Sequence, residues 1–323
     1  MLKTLLSAFE KREGLLGLSD SNCCRLFNAR GDGIDGLTLD RYGDYILIQF
    51  YDEALAESVN GKMELIGTAR EAIMKALERL PVNIRGVLAK NRITVKGNQD
   101  FIDLRRSMLL DGELPQGDYT VRQNNILAGA DLLEGQSTGI FLDMREIRSG
   151  LEPLYGEKNF SGMLNLFSYT ALFSVHALKN GVPRAVNVDL SRTVLRRAMN
   201  NYRLNDIAVD DRDFIYGDAL NWIKRLIKRG ETYSIVVIDP PTFARGKKNS
   251  FSVRTDYENA IRSLEALAPG GYVLSAINSR FISKKQYISF HPAQWKLVTF
   301  SNESSDFPAG GEPYLKAGLW SLK

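Results

Sequence analysis

The chain has 323 residues, 44% of them hydrophobic and 25% charged, with a formal net charge of +4, and this is enough apolar material for one large or two medium cores. That composition excludes a disordered or fibrous chain. No stretch approaches the ~20 apolar residues of a membrane span and Met1-Leu2-Lys3 opens no apolar signal core, so a cytoplasmic protein is expected. The cysteines, Cys23 and Cys24, are adjacent and only two histidines occur; neither a disulfide framework nor a metal site is expected.

In chain order, residues 37–50 (LTLDRYGDYILIQF) predict a β-hairpin turning near Gly43-Asp44. Residues 53–80 carry Leu55, Val59, Met63, Ile66, Ile73 and Leu77 at helical spacing up to Pro81, and a strand is expected from Ile84 to Ala89. Extended segments follow around Gly129 and Gly135. From Met163 onward strands alternate with helices, at Leu164–Phe167, Ala185–Val188, Phe214–Tyr216, Ile235–Ile238 and Tyr272–Ala276, with two more strands at Trp295–Phe300 and Tyr314–Leu322. The expected architecture is therefore a small N-terminal α/β domain, residues 1–120, followed by a seven-stranded, doubly wound, Rossmann-like α/β sheet in residues 121–323.

The sequence GDGIDG at Gly31, Gly33 and Gly36 matches a dinucleotide-binding pattern. It precedes a hairpin instead of a helix and holds two aspartates that would repel phosphate, so it reads as a turn. The stronger candidate is NLFSYTALFSV (Asn165–Val175), a strand running through a small polar turn into an apolar helix. The second strand ends in Asp189-Leu190-Ser191, the third in Gly217-Asp218-Ala219 and the fourth in Asp239-Pro240-Pro241-Thr242-Phe243. Any one of these acids also reads as a helix cap or loop residue. Acids at the tips of three successive strands suit S-adenosylmethionine: a polar turn under the methionine moiety, Asp189 for the ribose, Asp218 for the adenine and a loop at strand four for chemistry. A nicotinamide cofactor fits less well, since the first turn lacks glycines. The Asp-Pro-Pro segment gives a rigid loop whose carboxylate and carbonyls can accept from a planar nitrogen group, beside an aromatic that can stack on a base.

Together, LLEGQSTGIFLDMR, NLFSYTALFSV, VDLS, GDA, DPPTF, the Gly270-Gly271 turn and the terminal YLK resemble the RlmI/RlmKL-like class I S-adenosylmethionine-dependent rRNA methyltransferases, from about Arg25 to the end. The resemblance implies that Phe141, Asp143 and Arg145 border the cofactor pocket, with Arg145 facing the cofactor carboxylate. It also implies backbone contacts from Phe167, Ser168, Tyr169 and Thr170, and places Asp189 with Leu190 and Ser191 at the ribose and Asp218 with Ala219 at the adenine. Asp239, Pro240, Pro241 and Phe243 would form the catalytic loop. A PUA-type RNA-binding module often precedes the accessory domain in that family, and this chain is expected to start after it. Two departures stand out: Ala171-Leu172 where relatives usually carry glycine after the SYT turn, and Asp306-Phe307-Pro308 where they more commonly read Asp-His-Pro.

Cytosine C5 methylation needs a cysteine that adds to C6, placed in cytosine-specific relatives near the end of strand five. Here that region reads Tyr272–Ser279 without cysteine, and Cys23 and Cys24 lie in the other domain, so C5 chemistry is not expected. DPPTF resembles the segment in the guanine-N7 domain of RlmKL-type enzymes, and that resemblance implies a guanine nitrogen, N7 or the exocyclic amine, as the acceptor. The charge is −3 over residues 1–150 and +7 over residues 151–323. Arg245, Lys247 and Lys248 after strand four, and Arg280, Lys284 and Lys285 after strand five, are expected to bind RNA phosphates, large-subunit rRNA being the expected partner. His176 and His291 read as structural. The competing readings are a noncatalytic RNA-binding or ribosome-assembly factor on this scaffold, which Ala171-Leu172 favours, and a small-molecule methyltransferase.

Overall fold

The computed structural model describes residues 1–59, 62–93, 106–135, 137–156, 160–241 and 255–322. The chain divides into two units, Met1–Arg145 with Ser304–Gly311, and Glu146–Glu303 with Glu312–Lys323. Among the described residues no helix is long and apolar enough to cross a membrane.

The strands of the first unit are β1 (Cys23–Asn28), β2 (Leu37–Tyr42), β3 (Tyr45–Phe50), β4 (Ala56–Val59), β5 (Lys62–Leu65), β6 (Gly86–Asn91), β7 (Met108–Gly112), β8 (Thr120–Gln123) and β9 (Ile126–Gly129). Among the described residues β1, β2, β3, β6 and β7 form one sheet in that order. Helices α1 (Leu2–Glu10), α2 (Glu13–Leu16) and α3 (Gly67–Leu77) supply Leu5, Phe9, Leu16, Ile73 and Leu77 to its core. The expected hairpin is β2–β3, with Tyr42 opposite Tyr45 and Gly43 at a left-handed φ of 59°.

The helix expected over 53–80 starts only at Gly67, because β4 and β5 pair antiparallel with Ala56 opposite Leu65. Leu55 and Leu65 still reach the core. The helical spacing of apolar residues outweighed Asn60-Gly61, a strong hairpin signal that itself lies outside the described residues. GDGIDG forms a short 3-10 turn over Ala29–Asp32 followed by left-handed Gly33 and Gly36. The β8–β9 hairpin turns on left-handed Asn124 and Asn125. It is tied to the segment before β1, where Asn22 N–H donates to the Arg122 carbonyl (2.9 Å) and Arg122 N–H donates to Asn22 Oδ1 (2.7 Å). These bonds lie within the first unit, which runs to Arg145.

The second unit contains α4 (Arg145–Ser149, from Glu146), α5 (Glu152–Tyr155), β10 (Met163–Leu166), α6 (Leu172–Lys179), β11 (Ala185–Asp189), α7 (Arg192–Leu204), β12 (Phe214–Tyr216), α8 (Ala219–Lys228), β13 (Ile235–Ile238), α9 (Thr255–Ser263), β14 (Tyr272–Asn278), α10 (Lys284–Ser289), β15 (Lys296–Ser301) and β16 (Leu315–Ser321). Among the described residues its sheet has seven strands in the order β12-β11-β10-β13-β14-β16-β15, the first five parallel and β16 antiparallel to both neighbours. Leu166, Asp189, Tyr216, Ile238 and Asn278 consequently end on one edge. The strand order reverses beside β10, so the ligand crevice of such a sheet falls there.

Behind β14 lies a buried polar cluster. His291 Nδ1 lies 3.0 Å from the Tyr287 carbonyl, which can only accept, so Nδ1 carries the proton and Nε2 accepts from Ser275 Oγ at 2.7 Å. The imidazole stacks on Trp320, ring centroids 4.0 Å apart, and Trp320 Nε1 donates to Ser275 Oγ at 3.1 Å. Burial pushes the His291 pKa from 6.5 down to about 4. A histidine depressed in the folded state contributes stability that is complete at neutral pH and lost as pH falls from 6.5 towards 4, here about 3 kcal/mol. Urea unfolding of His291→Phe at pH 7 and pH 5 should therefore show a smaller stability difference than wild type; an equal difference would remove His291 as its source.

Candidate active site

The turn after β10 has three non-glycine residues in the left-handed region, Phe167 (φ 56°), Tyr169 (φ 49°) and Ala171 (φ 60°). Each costs an L residue about 1–2 kcal/mol, and such strain persists only where surrounding bonds over-determine the backbone. Those bonds are present: Ser168 N–H donates to the Val188 carbonyl (3.0 Å), Ala171 N–H to the Ser168 carbonyl (2.8 Å), and the Asn201 amide to the Thr170 carbonyl (2.9 Å). Tyr169 N–H donates to Asp189 Oδ2 at 3.0 Å, and Ser191 N–H donates to Asp189 Oδ1 at 2.8 Å. One carboxylate therefore joins the turn after β10 to the start of α7, where Ser191 Oγ caps the helix by accepting from Val194 N–H.

The Leu190 amide also bears on the Asp189 carboxylate, which is half-buried at the end of β11. Burial raises its pKa and the amide bonds oppose that rise. Ser168, 6% exposed, has a hydroxyl oxygen with no hydrogen-bond partner among the described residues. An unsatisfied buried hydroxyl in a strained turn, beside a half-buried carboxylate, fits a polar ligand. Leu190 and Tyr216 add half-exposed apolar surface at the ends of β11 and β12.

Asp218 caps α8 by accepting from Asn221 N–H at 2.9 Å, so the bland helix-cap reading of this acid is realised; its side chain is exposed and Ala219 behind it is buried. Asp239 is half-buried immediately after β13, followed by buried Pro240 and exposed Pro241. Its charge bears on Tyr257, whose phenol is pushed well above its ordinary pKa, chiefly by burial. Phe243, Arg245, Lys247 and Lys248 lie outside the described residues, whereas Arg280, Lys284 and Lys285 are exposed beyond the end of β14.

Phe141, Asp143 and Arg145 belong to the first unit, and the other described candidates to the second. Phe141 is half-exposed, and the Asp143 carbonyl accepts from both the backbone and the hydroxyl of Ser304 (2.9 and 2.8 Å). Arg145, expected opposite a cofactor carboxylate, is buried with Nη2 3.0 Å from Asp306 Oδ1, so a protein carboxylate takes up the guanidinium charge. The Ala171 methyl is fully buried, so this departure from glycine is accommodated inside the protein. Both cysteines are buried in β1, and burial, followed by the charge of Asp306, pushes the Cys24 thiol up to about 12. His176 is buried with Nε2 3.0 Å from Glu152 Oε1, its pKa lowered by burial and then by Arg148.

Sequence reasoning missed the ladder beneath this edge. Asn165 donates to Ser174 Oγ (3.0 Å), Ser174 to Asn187 Oδ1 (2.7 Å) and Asn187 to the Tyr202 hydroxyl (2.9 Å), all of them buried and linking β10, α6, β11 and α7. Asparagine at mid-strand, in Asn165 and Asn187, was the available signal, because it is disfavoured there without partners.

Known proteins resemble this chain in sequence and fold. The model of a family described as S-adenosylmethionine-dependent methyltransferase matches residues 29–298. The chain is 31% identical over 300 residues to YwbD of Bacillus subtilis (strain 168), provisionally named a ribosomal RNA large subunit methyltransferase, covering 91% of this chain and 70% of that protein. It is 30% identical over 275 residues to ribosomal RNA large subunit methyltransferase I of Aeromonas salmonicida (strain A449), covering 85% of this chain and 65% of the relative's length. Among solved structures it resembles SMU.776, provisionally described as a methyltransferase and crystallised with SAH, with a TM-score of 0.82 and 28% identity over 99% of this chain and 81% of that one.

The strain at Ala171 is testable. Ala171→Gly deletes a buried methyl yet releases about 1–2 kcal/mol of left-handed strain, so urea unfolding should place the variant within about 1 kcal/mol of wild type. A loss above about 2 kcal/mol would show that the turn carries no such strain.

Proposed function

The chain belongs to the S-adenosylmethionine-dependent methyltransferases, and from that premise we propose that it methylates large-subunit ribosomal RNA at a guanine nitrogen, N7 or the exocyclic amine, without a covalent cysteine intermediate. The observation that carries this reading is the row of carboxylates Asp189, Asp218 and Asp239 along one sheet edge, beside the strained turn at 167–171. When bound, S-adenosylmethionine supplies an electrophilic methyl group on a sulfonium. Asp189 accepts the ribose hydroxyls, with Leu190 and Ser191 beside it, Ser168 meets a polar group of the methionine moiety, and Asp218, beside Ala219, accepts from the adenine amino group.

A guanine N7 lone pair needs only alignment with the methyl group. For an exocyclic amine, Asp239 and the Pro240 carbonyl would orient the NH2 group; as the N–CH3 bond formed the S–CH3 bond would break, leaving a neutral thioether, and Asp239 would take the amine proton. Two observations support a nitrogen acceptor over cytosine C5. The end of β14, Ala276-Ile277-Asn278-Ser279, holds no thiol, and the Cys24 thiol, pushed up to about 12, stays protonated at neutral pH. The RNA substrate is supported by the names of the relatives and by the positive second half of the chain, with exposed Arg280, Lys284 and Lys285 on the same sheet edge.

Calorimetric titration with S-adenosylmethionine should show Asp189→Ala weakening the cofactor roughly 10- to 100-fold, as expected for lost hydrogen bonds to a charged acceptor. Because only the ionised carboxylate accepts from both hydroxyls and its pKa is raised, wild-type affinity should fall on acidification before an ordinary aspartate with pKa 3.8 would protonate. Undiminished affinity in Asp189→Ala would remove the ribose assignment. Asp239→Ala should keep cofactor affinity while losing transfer of a labelled methyl group to rRNA; unchanged turnover would contradict the role of this loop.

A further inference from the structure

Phe281 is 96% exposed, whereas the other exposed large hydrophobic side chains among the described residues range from 40 to 52%. Its loop is held on both sides. Ser279 N–H donates to the Tyr314 carbonyl (2.6 Å), and Phe281 N–H donates to Ser279 Oγ (3.3 Å). The ammonium of Lys316, only 1% exposed, donates to the Ser279 carbonyl (2.9 Å) and to the Pro313 carbonyl, with Glu312 at 3.7 Å. On the other side Ser283 and Gln286 form a reciprocal capping box at the start of α10. The ring is thus presented to solvent by a pinned backbone.

Its neighbours are cationic. Arg280, Lys284 and Lys285 are exposed, and among the described residues none of them pairs with a carboxylate. The Lys284 ammonium lies 4.1 Å from the centroid of Phe300 and the Arg280 guanidinium 6.0 Å from that of Tyr314, which holds these charges over the adjoining surface. The loop leaves β14 on the sheet edge where β13 delivers Asp239, since Ile238 pairs with Ser275.

We propose that Phe281 is a stacking platform for an unpaired nucleotide of the RNA substrate, with Arg280, Lys284 and Lys285 on the phosphates flanking it. The inference rests on the RNA reading above and deepens it by naming single-stranded RNA as the form bound. A free aromatic face offers about the same stacking energy to any unpaired base, uncompensated cations supply sequence-independent backbone affinity, and the base faces of a duplex are hidden in its own stack. Lys316, in the terminal YLK motif, joins the Ser279 and Pro313 carbonyls at the base of this loop.

The test titrates fluorescein-labelled single-stranded oligoadenylate RNA and a fully paired RNA duplex with the full chain, over a range of salt concentrations. Phe281→Ala should weaken single-strand binding roughly 5- to 150-fold, with an unchanged salt slope and unchanged affinity for S-adenosylmethionine, and Phe281→Trp should restore it. The double variant Lys284→Glu/Lys285→Glu should give a shallower salt slope. Single-strand binding in Phe281→Ala as tight as wild type, or an equal loss on duplex and single strand, overturns the stacking role. So does conversion of a self-associated wild type to monomer by Phe281→Ala, in sedimentation, with RNA affinity unchanged. A wild-type chain that binds neither RNA overturns the RNA reading itself, and the platform with it.

Discussion

The arrangement of the second unit depends on one carboxylate. Asp189 accepts an amide hydrogen bond from the turn after β10 and another from the residue that caps α7, and with the bonds from Asn201 to Thr170 and from Ser168 to Val188 it ties the two connections together. Parallel strands bring their ends to a common edge, but they do not fix the loops above it. These bonds do, and the left-handed residues at 167, 169 and 171 record the backbone strain that this bracing sustains. The Asp189 carboxylate is half-buried at the sheet edge, and in the proposed function it is also the group that accepts from the ribose diol. On the proposed reading, structural and recognition roles coincide in Asp189.

A second brace operates within the first unit. The segment Ser304–Gly311 belongs to that unit although the chain on either side belongs to the other. Asp306 holds it in place: its carboxylate accepts from Arg25 N–H (2.7 Å) and faces Arg145 (3.0 Å), while its carbonyl accepts from Arg12, which also pairs with Asp32 (2.6 Å). Removing one partner from a buried set of this kind leaves an uncompensated charge, which is far more costly than the pair is stabilising. The aspartate of Asp306-Phe307-Pro308 is therefore used inside the fold, and Phe307 takes a packing role beneath the Arg25 guanidinium, 4.4 Å from its centroid.

Much of the second unit was legible because its signals are local and repeated. Short β-branched runs ending in an acid or proline, separated by helical spacing, specify parallel strands, and β12 and β13 fall where those runs predict. The acids at 189, 218 and 239 were visible for the same reason. The first unit was less legible: Leu55, Met63 and Ile66 satisfy a helical period while lying in a 3-10 turn, in β5 and just before α3, since a short hairpin and a helix turn can bury the same residues. What could not be read was anything set by partners distant in sequence. The Arg145–Asp306 pair spans two segments with no shared local pattern, and the buried Asn165-Ser174-Asn187 ladder becomes intelligible only when β10 and β11 lie side by side. The full exposure of Phe281 is also invisible in a sequence where an aromatic between charged residues reads equally well as an anchor to the core.

The acceptor atom is the central claim that separates this chain from a C5-directed reading of the same fold. With no thiol at the end of β14 and the β1 cysteines buried, the site offers carboxylate and carbonyl acceptors, which orient nitrogen groups and do not add to a pyrimidine ring. Nucleoside mass spectrometry of large-subunit rRNA from cells with and without this protein tests that directly. Loss of an N-methylated guanosine in its absence is the predicted result; loss of 5-methylcytidine with every methylguanosine retained would contradict it.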